Sequence, residues 1–312
     1  TDFMKIRVLG AAAGGGFPQW NCNHPNSRRA RQHDPEASQR TQSSIAISPE
    51  GADWFLFNAS PDLGQQIREN DILHPSKDLR HSPIQGVILT NADVDHVAGL
   101  LNLRESQPLR LYGTQRVLKV LAANTIFNVL NPKFVARQRM PLEQSIELIK
   151  PNGDSMGINI RPFAVPGKVA LWLENESKAD NFGSVDEDTI ALEVEQISNG
   201  AKFFYIPACA KMTSELADRI RGSDMVFFDG TLWLDDEMIT AGVGIKTGQR
   251  MGHMSVSGKD GTISSIKDLD IKRKIFIHIN TTNPILLNDS PQRKEVEAAG
   301  WEVSYDGMEI EL

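Results

Sequence analysis

The stretch GVILTNADVDHVAGL, residues 86–100, joins an apolar strand pattern to a polar turn and the start of a helical pattern. The turn carries Asp93, Asp95 and His96 just past the predicted strand, where side chains are held on a rigid support. Asp95 and His96 are adjacent, so their side chains would diverge by roughly a hundred degrees on a helix, but they can still converge on one metal ion when the turn is not helical. In the alternative, Asp93 or Asp95 caps the helix and His96 packs on its first turn. The stretch alone leaves both interpretations open.

Three further segments place polar side chains at strand ends or in loops. KIFIHINTTNPIL, residues 274–286, has His278 in an apolar strand, followed by a polar turn whose side chains could orient ligands. A predicted strand ends at Asp229 within MVFFDGTLW, residues 225–233. His253 follows a glycine in a predicted loop, RMGHMS, residues 250–255. The alternative interpretations are a satisfied core histidine at 278 and an ordinary Asp-Gly turn at Asp229.

If these strand ends meet at one edge, Asp95, His96 and His278 supply one carboxylate and two imidazoles. That set with open positions is the facial triad of non-haem Fe(II) oxygenases. A catalytic zinc site with open coordination uses similar residues. The ligand set therefore limits the candidate metals to those that use such residues, iron and zinc among them, but it does not decide between them.

Short β-rich runs alternate with helical runs along the chain, which predicts one domain over residues 1–312 with two sheets and outer helices. The predicted strands cover 5–10, 43–48, 53–59, 86–90, 109–113, 158–165, 190–196, 202–206, 225–230, 274–280 and 301–312. The predicted helices cover 64–70, 97–106, 115–130, 215–222 and 262–269. Three stretches are expected to be irregular and are long enough to be functional loops: 11–42, 168–188 and 234–262.

Composition excludes several classes of protein. The 33 basic and 40 acidic residues give a net charge of -7, which argues against a nucleic-acid partner. No segment approaches the roughly 20 apolar residues that span a bilayer, so stable membrane insertion is not expected. The first residues lack the pattern of a signal peptide. Cys22 and Cys209 are too few for a disulfide framework, so we expect a cytoplasmic protein.

Several short motifs in order resemble the metallo-β-lactamase superfamily and, within it, the coenzyme PQQ (pyrroloquinoline quinone) synthesis protein B family. They extend from near the first residue to near the last: GAAAGGGFPQWNCN at 10–23, RTQSSIA at 40–46, NASPD at 58–62, DVDHVAGLL at 93–101, VPGKV at 165–169, FDGT at 228–231, GVGIKTG at 242–248, MGH at 251–253 and HINTTNP at 278–284. The resemblance implies an α/β (α+β) fold, the four-layer αββα sandwich of that superfamily.

The sequence departs from the superfamily where a first metal would bind. The usual segment has the form His-x-His-x-Asp-His, and Asn91 and Asp93 stand at its two leading histidines. Gly167 and Lys168 stand where a third histidine is usual, and the bridging aspartate is missing near YIPACA. Two-metal hydrolysis needs both ions to clamp the attacking and leaving oxygens. A two-metal hydrolase is therefore disfavoured, and a single redox metal is expected.

The resemblance implies a function in coenzyme PQQ biosynthesis. Asp95, His96 and His278 are the expected metal ligands, with Asp93 as a further candidate. The implied reaction is hydroxylation, dependent on iron and O2, of the tyrosine ring of a small precursor derived from Glu and Tyr. Fe(II) is the expected cofactor, zinc a substitute and O2 the co-substrate; other PQQ synthesis proteins are candidate partners. The alternative is a carrier that takes part in transport of PQQ or its precursor across the membrane to the periplasm.

Asp229 and His253 resemble an acid and histidine pair that phosphodiesterase relatives place beside their metals. The resemblance implies that they either support the metal ligands or transfer protons in catalysis, and Asp229 is also a candidate for a further metal ligand. Gly15 and Gly16 belong to a glycine run that permits close backbone approach to a substrate, or that simply makes a flexible turn.

Three basic residues are candidates for pairing with substrate carboxylates: Arg40, Arg104 and Lys246. A surface charge is the alternative for each.

The loop after Trp20 resembles the Cys-x-Cys-x-x-Cys of many family members, which is typical of a structural zinc site. The matching residues here are Cys22, His24 and Ser27, and serine is a poor zinc ligand. Cys22 and His24 could still ligate zinc, but we expect them to be the remains of a structural zinc site that this chain has lost.

Overall fold

A computed structural model describes residues 3–168, 173–174 and 185–312, and in these ranges two seven-stranded mixed sheets form the centre of the fold. The first sheet has the order β14-β1-β2-β3-β4-β5-β6. Its strands are β1 Lys5–Gly10, β2 Ser44–Ser48, β3 Trp54–Phe57, β4 Ile84–Ile88, β5 Leu109–Gly113, β6 Val135–Arg139 and β14 Glu309–Glu311. The pairs from β14 to β3 are antiparallel, and those from β3 to β6 are parallel.

The second sheet has the order β13-β12-β11-β10-β9-β8-β7. Its strands are β7 Ile146–Ile149, β8 Ser155–Ala164, β9 Ile190–Gln196, β10 Lys202–Ile206, β11 Met225–Asp229, β12 Arg273–Ile277 and β13 Trp301–Val303. The strands from β10 to β13 are parallel, so the ends of β11 and β12 lie at one edge of this sheet.

The α-helices of the described ranges lie in the connections between strands. They are α1 Pro25–Arg31, α2 Leu63–Glu69, α3 Val94–Val97, α4 Gln115–Ala123, α5 Ser214–Ile220, α6 Glu237–Thr240, α7 Gly248–Met251, α8 Thr262–Ile266 and α9 Pro291–Ala298. Short 3-10 helices cover Asp71–Leu73, Ala98–Leu103, Thr125–Val129 and Pro284–Leu286.

Three apolar clusters hold these layers together. The central cluster takes side chains from both sheets, with the rings of Phe57 and Phe203 stacked at 6.3 Å. On the outer face of the first sheet, residues of α2 and α4 complete a second cluster. On the other outer face, a third cluster includes residues of α5, α8 and α9. Burial on both faces explains why the strands read as apolar runs. The predicted αββα sandwich is confirmed.

The sequence-based elements differ from the structure at edge strands, at element ends and in two helices: the predicted helix 97–106 is a 3-10 helix over Ala98–Leu103, and the mostly polar α9 was not predicted. Strands β6 and β7 were not predicted, because each is the last strand of its sheet and exposes polar or half-buried residues. The predicted strand 301–312 is two strands in different sheets, separated by a turn at Gly307 with φ 86°. The predicted helix 115–130 ends as an α-helix at Ala123 and continues as a 3-10 helix.

Two of the three stretches expected to be irregular contain short helices. Residues 11–42 include α1, whose polar sequence has no apolar periodicity, and residues 234–262 include α6 and α7. Of the stretch 168–188, residues 169–172 and 175–184 lie outside the described residues. No helix of the described ranges is both long and apolar enough to cross a membrane.

Candidate metal centre

The structure brings Asp95, His96 and His278 together from distant parts of the chain. Asp95 and His96 lie on the one-turn helix α3 after β4, and His278 directly follows β12. The expectation of a non-helical turn is therefore corrected: the ligand atoms converge although both residues are helical. Asp95 Oδ2 is 3.1 Å from His278 Nε2 and 3.7 Å from His96 Nε2. Metal–ligand bonds of about 2 Å fit donors at this separation.

His96 is held so that one ring nitrogen is left without a partner. Its Nδ1 lies 2.6 Å from Asn91 Oδ1, which also accepts the Asp93 backbone N–H at 3.0 Å. Because an amide oxygen can only accept, Nδ1 carries the proton and Nε2 presents a lone pair. His96 Nε2 is buried and has no hydrogen-bond partner among the residues that the structure describes. A buried polar atom without a partner is costly, and a metal ion would satisfy this one.

The side chain of Thr231 sets the proton position on His278. Thr231 Oγ1 lies 2.5 Å from Asp229 Oδ1 and 2.8 Å from His278 Nδ1. The hydroxyl donates its one proton to the carboxylate, so it accepts from His278 Nδ1–H. His278 Nε2 then presents a lone pair towards Asp95. Two lone-pair atoms 3.1 Å apart need a proton or a metal between them.

His278 has a left-handed backbone, with φ 61°. That conformation costs a residue other than glycine roughly 1–2 kcal/mol. Such strain persists only where the surrounding structure imposes it, and it is concentrated at functional sites.

Charges within the cluster favour an ionised Asp95. Burial opposes this, but the neighbouring imidazoles of His96 and His278 leave the pKa of Asp95 well below its ordinary value. Burial lowers the pKa of His96, in spite of the nearby Asp95 carboxylate. Burial also acts against a charge on His278, but its hydrogen bond to Asp95 raises the pKa. The cluster therefore offers one carboxylate and a neutral His96 imidazole, while His278 shares a proton with Asp95.

Asp229 and His253 form a buried pair beside this cluster. Asp229 Oδ2 lies 2.6 Å from His253 Nδ1 and accepts the Cys209 backbone N–H at 2.9 Å. Burial would raise the pKa of Asp229, but the charge and hydrogen bond of His253 lower it. The imidazole rings of His253 and His278 stack at 5.1 Å.

Asp229, His253 and His278 also meet the spacing of a metal site. The nitrogens that face one another there are the Nδ1 atoms, and Asp229 and Thr231 already bind them. This second group is therefore a hydrogen-bond network that leaves the Nε2 atoms of both histidines for other partners.

A cavity of about 460 Å³ opens onto the cluster. Its lining includes Asp95, His96, His278, His253, Gly15 and Lys246. Gly15 has φ +94°, which favours glycine, and its backbone N–H donates to Gln42 Oε1. Gly16 also has a positive φ but is not among the described residues of the lining.

The structure does not bring Arg40 or Arg104 to this cavity. Arg40 is buried, and its guanidinium donates to the carbonyls of Ser304 and Ser38. Arg104 donates to the Leu101 carbonyl on an exposed turn. Neither belongs to the lining found among the described residues. The prediction that Arg40 and Arg104 bind substrate is therefore corrected. Arg40 instead connects the N-terminal loop to the segment after β13, and Arg104 lies on an exposed turn.

Asp93 occupies the N-cap position of α3, but its side chain makes no cap hydrogen bond. It lines the cavity and is in neither group of converging ligand atoms in the described ranges.

The loop with Cys22 and His24 has no comparable group of ligand atoms among the described residues. His24 Nδ1 accepts the Asn26 backbone N–H at the start of α1. Ser27 Oγ lies 2.5 Å from Thr281 Oγ1. These bonds occupy His24 Nδ1 and Ser27 Oγ, and a neutral His24 whose Nδ1 accepts carries its proton on Nε2, which then has no lone pair for a metal.

Sequence reasoning missed the roles of Asn91 and Thr231 in orienting the two histidines. Both positions were visible: Asn91 as the residue that replaces a usual histidine, and Thr231 as a hydroxyl two residues past Asp229. Their hydrogen bonds depend on the packing of distant segments, which no local pattern shows.

Residues 53–279 match the family model described as a Beta-lactamase superfamily domain. A coenzyme PQQ synthesis protein B from Gluconacetobacter diazotrophicus is 56% identical, covering 98% of this chain and 99% of its own. One from Xanthomonas oryzae pv. oryzae is 50% identical, covering 99% of this chain and 100% of its own. A crystal structure of Zn(2+)-bound PqqB from Methylobacterium extorquens has a TM-score of 0.93 at 48% identity, covering 99% of this chain and 100% of that one. The chain belongs to the coenzyme PQQ synthesis protein B family of the metallo-β-lactamase superfamily.

Proposed function

We propose that this chain is a mononuclear non-haem iron hydroxylase of coenzyme PQQ synthesis, acting in the cytoplasm. Its substrate would be a small precursor derived from Glu and Tyr, hydroxylated on the tyrosine ring with O2. Family membership supports the role in PQQ synthesis. The observation that carries the iron site is the buried, unpartnered His96 Nε2, which faces the Asp95 carboxylate beside His278 Nε2.

Asp95, His96 and His278 would hold Fe(II) through one carboxylate and two Nε2 atoms, which leaves positions open for O2 chemistry. Asn91 and Thr231 fix the ring orientations of the two histidines through their Nδ1 atoms. Zinc is the expected substitute, because it outranks Fe(II) in intrinsic affinity. The related Methylobacterium protein was crystallised with zinc.

His253 would move protons during the reaction. Its Nδ1 is fixed by Asp229, and the ring lines the cavity. A fully buried carboxylate beside the imidazole stabilises the imidazolium that forms when His253 takes up a proton.

Hydrolysis with two metals is disfavoured by the contacts of Asn91. This residue stands at a usual first-metal position, but its side-chain oxygen already accepts from His96 and from Asp93 N–H. The side chain therefore acts as support for the single site.

The second candidate function is a carrier for PQQ or its precursor. A cavity of about 460 Å³ with lysines in its lining would suit a small anionic ligand. A carrier would bind such a ligand without changing it, and it would not need the metal ligands.

The test is oxygen consumption and product mass, measured after anaerobic loading with Fe(II). We expect O2 uptake only when Fe(II) and precursor are both present, with addition of oxygen to the precursor. Asp95→Asn should abolish turnover and still fold, while the exposed Asp268→Asn should behave like the unchanged protein. Turnover in metal-free protein would overturn the proposal; PQQ binding without turnover in the Fe(II)-loaded protein would favour the carrier.

A further inference from the structure

Three cationic side chains converge on Glu174, whose side chain is only 6% exposed. The ammonium or guanidinium nitrogens lie at these distances from its carboxylate oxygens: Lys168 2.7 Å, Arg250 3.1 Å and Lys246 3.9 Å. Arg250 approaches both oxygens, at 3.2 and 3.1 Å, which is the two-point geometry of guanidinium–carboxylate recognition.

Two of these cations belong to the cavity of the candidate metal centre. Lys168 and Lys246 line it together with His253 and His278. The cations are therefore placed where a ligand near the metal would meet them.

The contacts of Glu174 show that these cations bind a carboxylate. Burial would raise its pKa, but hydrogen bonds from Arg250 and Lys168 lower it to about 2. The side chain is thus a carboxylate at neutral pH, held in a cationic cradle beside the cavity. A ligand carboxylate has the same charge and the same acceptor geometry.

Lys246 is the least engaged of the three with Glu174. Its 3.9 Å separation exceeds the roughly 3.2 Å limit of an N–H···O hydrogen bond. Its side chain is 29% exposed, compared with 12% for Lys168. The ammonium can therefore turn to a ligand without breaking a short contact to Glu174.

We propose that Lys168 and Lys246 form a carboxylate-binding subsite of the cavity, and that Glu174 takes the place of a ligand carboxylate when no ligand is bound. The ligand class is a small aromatic polycarboxylate. This identity rests on the proposed function in PQQ synthesis; the subsite itself rests on the contacts above.

The experiment compares binding of PQQ, a tricarboxylate, with binding of its trimethyl ester, which keeps the ring system and lacks the charges. Both are titrated calorimetrically into metal-loaded protein under argon, at low ionic strength because salt screens exposed cations. Lys246→Met should weaken PQQ binding about tenfold, the loss of one charge-assisted contact. Glu174→Gln, which keeps the side-chain shape, should strengthen PQQ binding by removing the internal competitor.

The ester should bind equally to the original protein and to both variants. Lys259→Met, a change to an exposed lysine outside this cavity, should leave PQQ binding unchanged. The proposal is overturned if neither variant changes PQQ affinity, if the ester responds as PQQ does, or if PQQ does not bind. Because no turnover is measured, failure of the hydroxylase proposal would leave this result standing.

Discussion

The cluster of Asp95, His96 and His278 and the loop with Cys22 and His24 both contain residue types that bind metals, yet their ligand atoms have different surroundings. In the cluster, neighbouring side chains bind the Nδ1 atoms and the Nε2 atoms converge; one of these, on His96, is buried without a hydrogen-bond partner in the described part of the chain. In the loop, His24 Nδ1 accepts the Asn26 backbone N–H, so the neutral ring carries its proton on Nε2 and offers no lone pair to a metal. The residue types therefore indicate a candidate metal site. Whether a metal can bind there depends on which ligand atoms keep a lone pair that no hydrogen bond uses.

The largest expected effect follows from removing the unpartnered nitrogen. His96→Gln should lower the affinity for Fe(II) by about 100-fold or more, because one of three ligands is lost from the proposed site. Competition with a metal-binding dye measures the affinity. His24→Gln is the matched histidine control and should leave the affinity unchanged. Equal losses in the two variants would remove the distinction between the regions.

Thr231 should matter nearly as much, although it is not a proposed ligand. Thr231→Val removes the hydroxyl that accepts from His278 Nδ1, and metal affinity should fall about 10- to 100-fold. Thr231→Ser keeps the hydroxyl and should retain most of the affinity. If valine and serine behave alike, then packing rather than hydrogen bonding explains the role of Thr231.

The metal-free cluster should also make stability depend on pH. The pKa of Asp95 is depressed in the fold, so its contribution is present above the ordinary value of 3.8 and is lost as the pH falls. The pKa of His278 is raised, so its contribution is present below 6.5 and is lost as the pH rises through the folded value.

Urea unfolding of the metal-free protein should therefore show a smaller free energy of unfolding at about pH 3 than at about pH 5. Asp95→Asn should flatten this difference, and Asp268→Asn should not. An unchanged pH dependence in Asp95→Asn would mean that other carboxylates are responsible.

The smallest effect belongs to the loop. His24→Ala removes the N-cap acceptor of α1, and the free energy of unfolding should fall by about 0.5–2 kcal/mol. Metal content should not change, whether zinc or iron is supplied. A loss of one zinc per chain in this variant would show that the loop still binds metal.

Two sheets with outer helices and the candidate ligands could be predicted because apolar runs of the sequence end at polar residues, whereas the αββα sandwich was predicted from the resemblance to the metallo-β-lactamase superfamily. Asp95, His96, Asp229 and His278 all lie at or near such ends. The buried positions of the sheets produce continuous apolar runs, whereas edge strands β6 and β7 do not.

The contacts of charged side chains could be predicted less well from the sequence. Arg40 and Lys246 look equivalent in the sequence, yet one is buried against backbone carbonyls and the other lines the cavity. The directions in which these side chains point depend on how distant loops pack, for example on the approach of the Ser304 carbonyl to Arg40. The supporting roles of Asn91 and Thr231 escaped prediction for the same reason.

X-ray absorption of the protein loaded with one equivalent of Fe(II) under argon tests the central claim most directly. We expect one iron per chain, bound by two imidazole nitrogens and a carboxylate oxygen at about 2.0–2.2 Å, with further light-atom ligands. A sulfur ligand near about 2.3 Å would point to the Cys22 loop, and a second metal at about 3.5–4 Å would indicate a two-metal site. Either result would contradict the single-metal site at Asp95, His96 and His278.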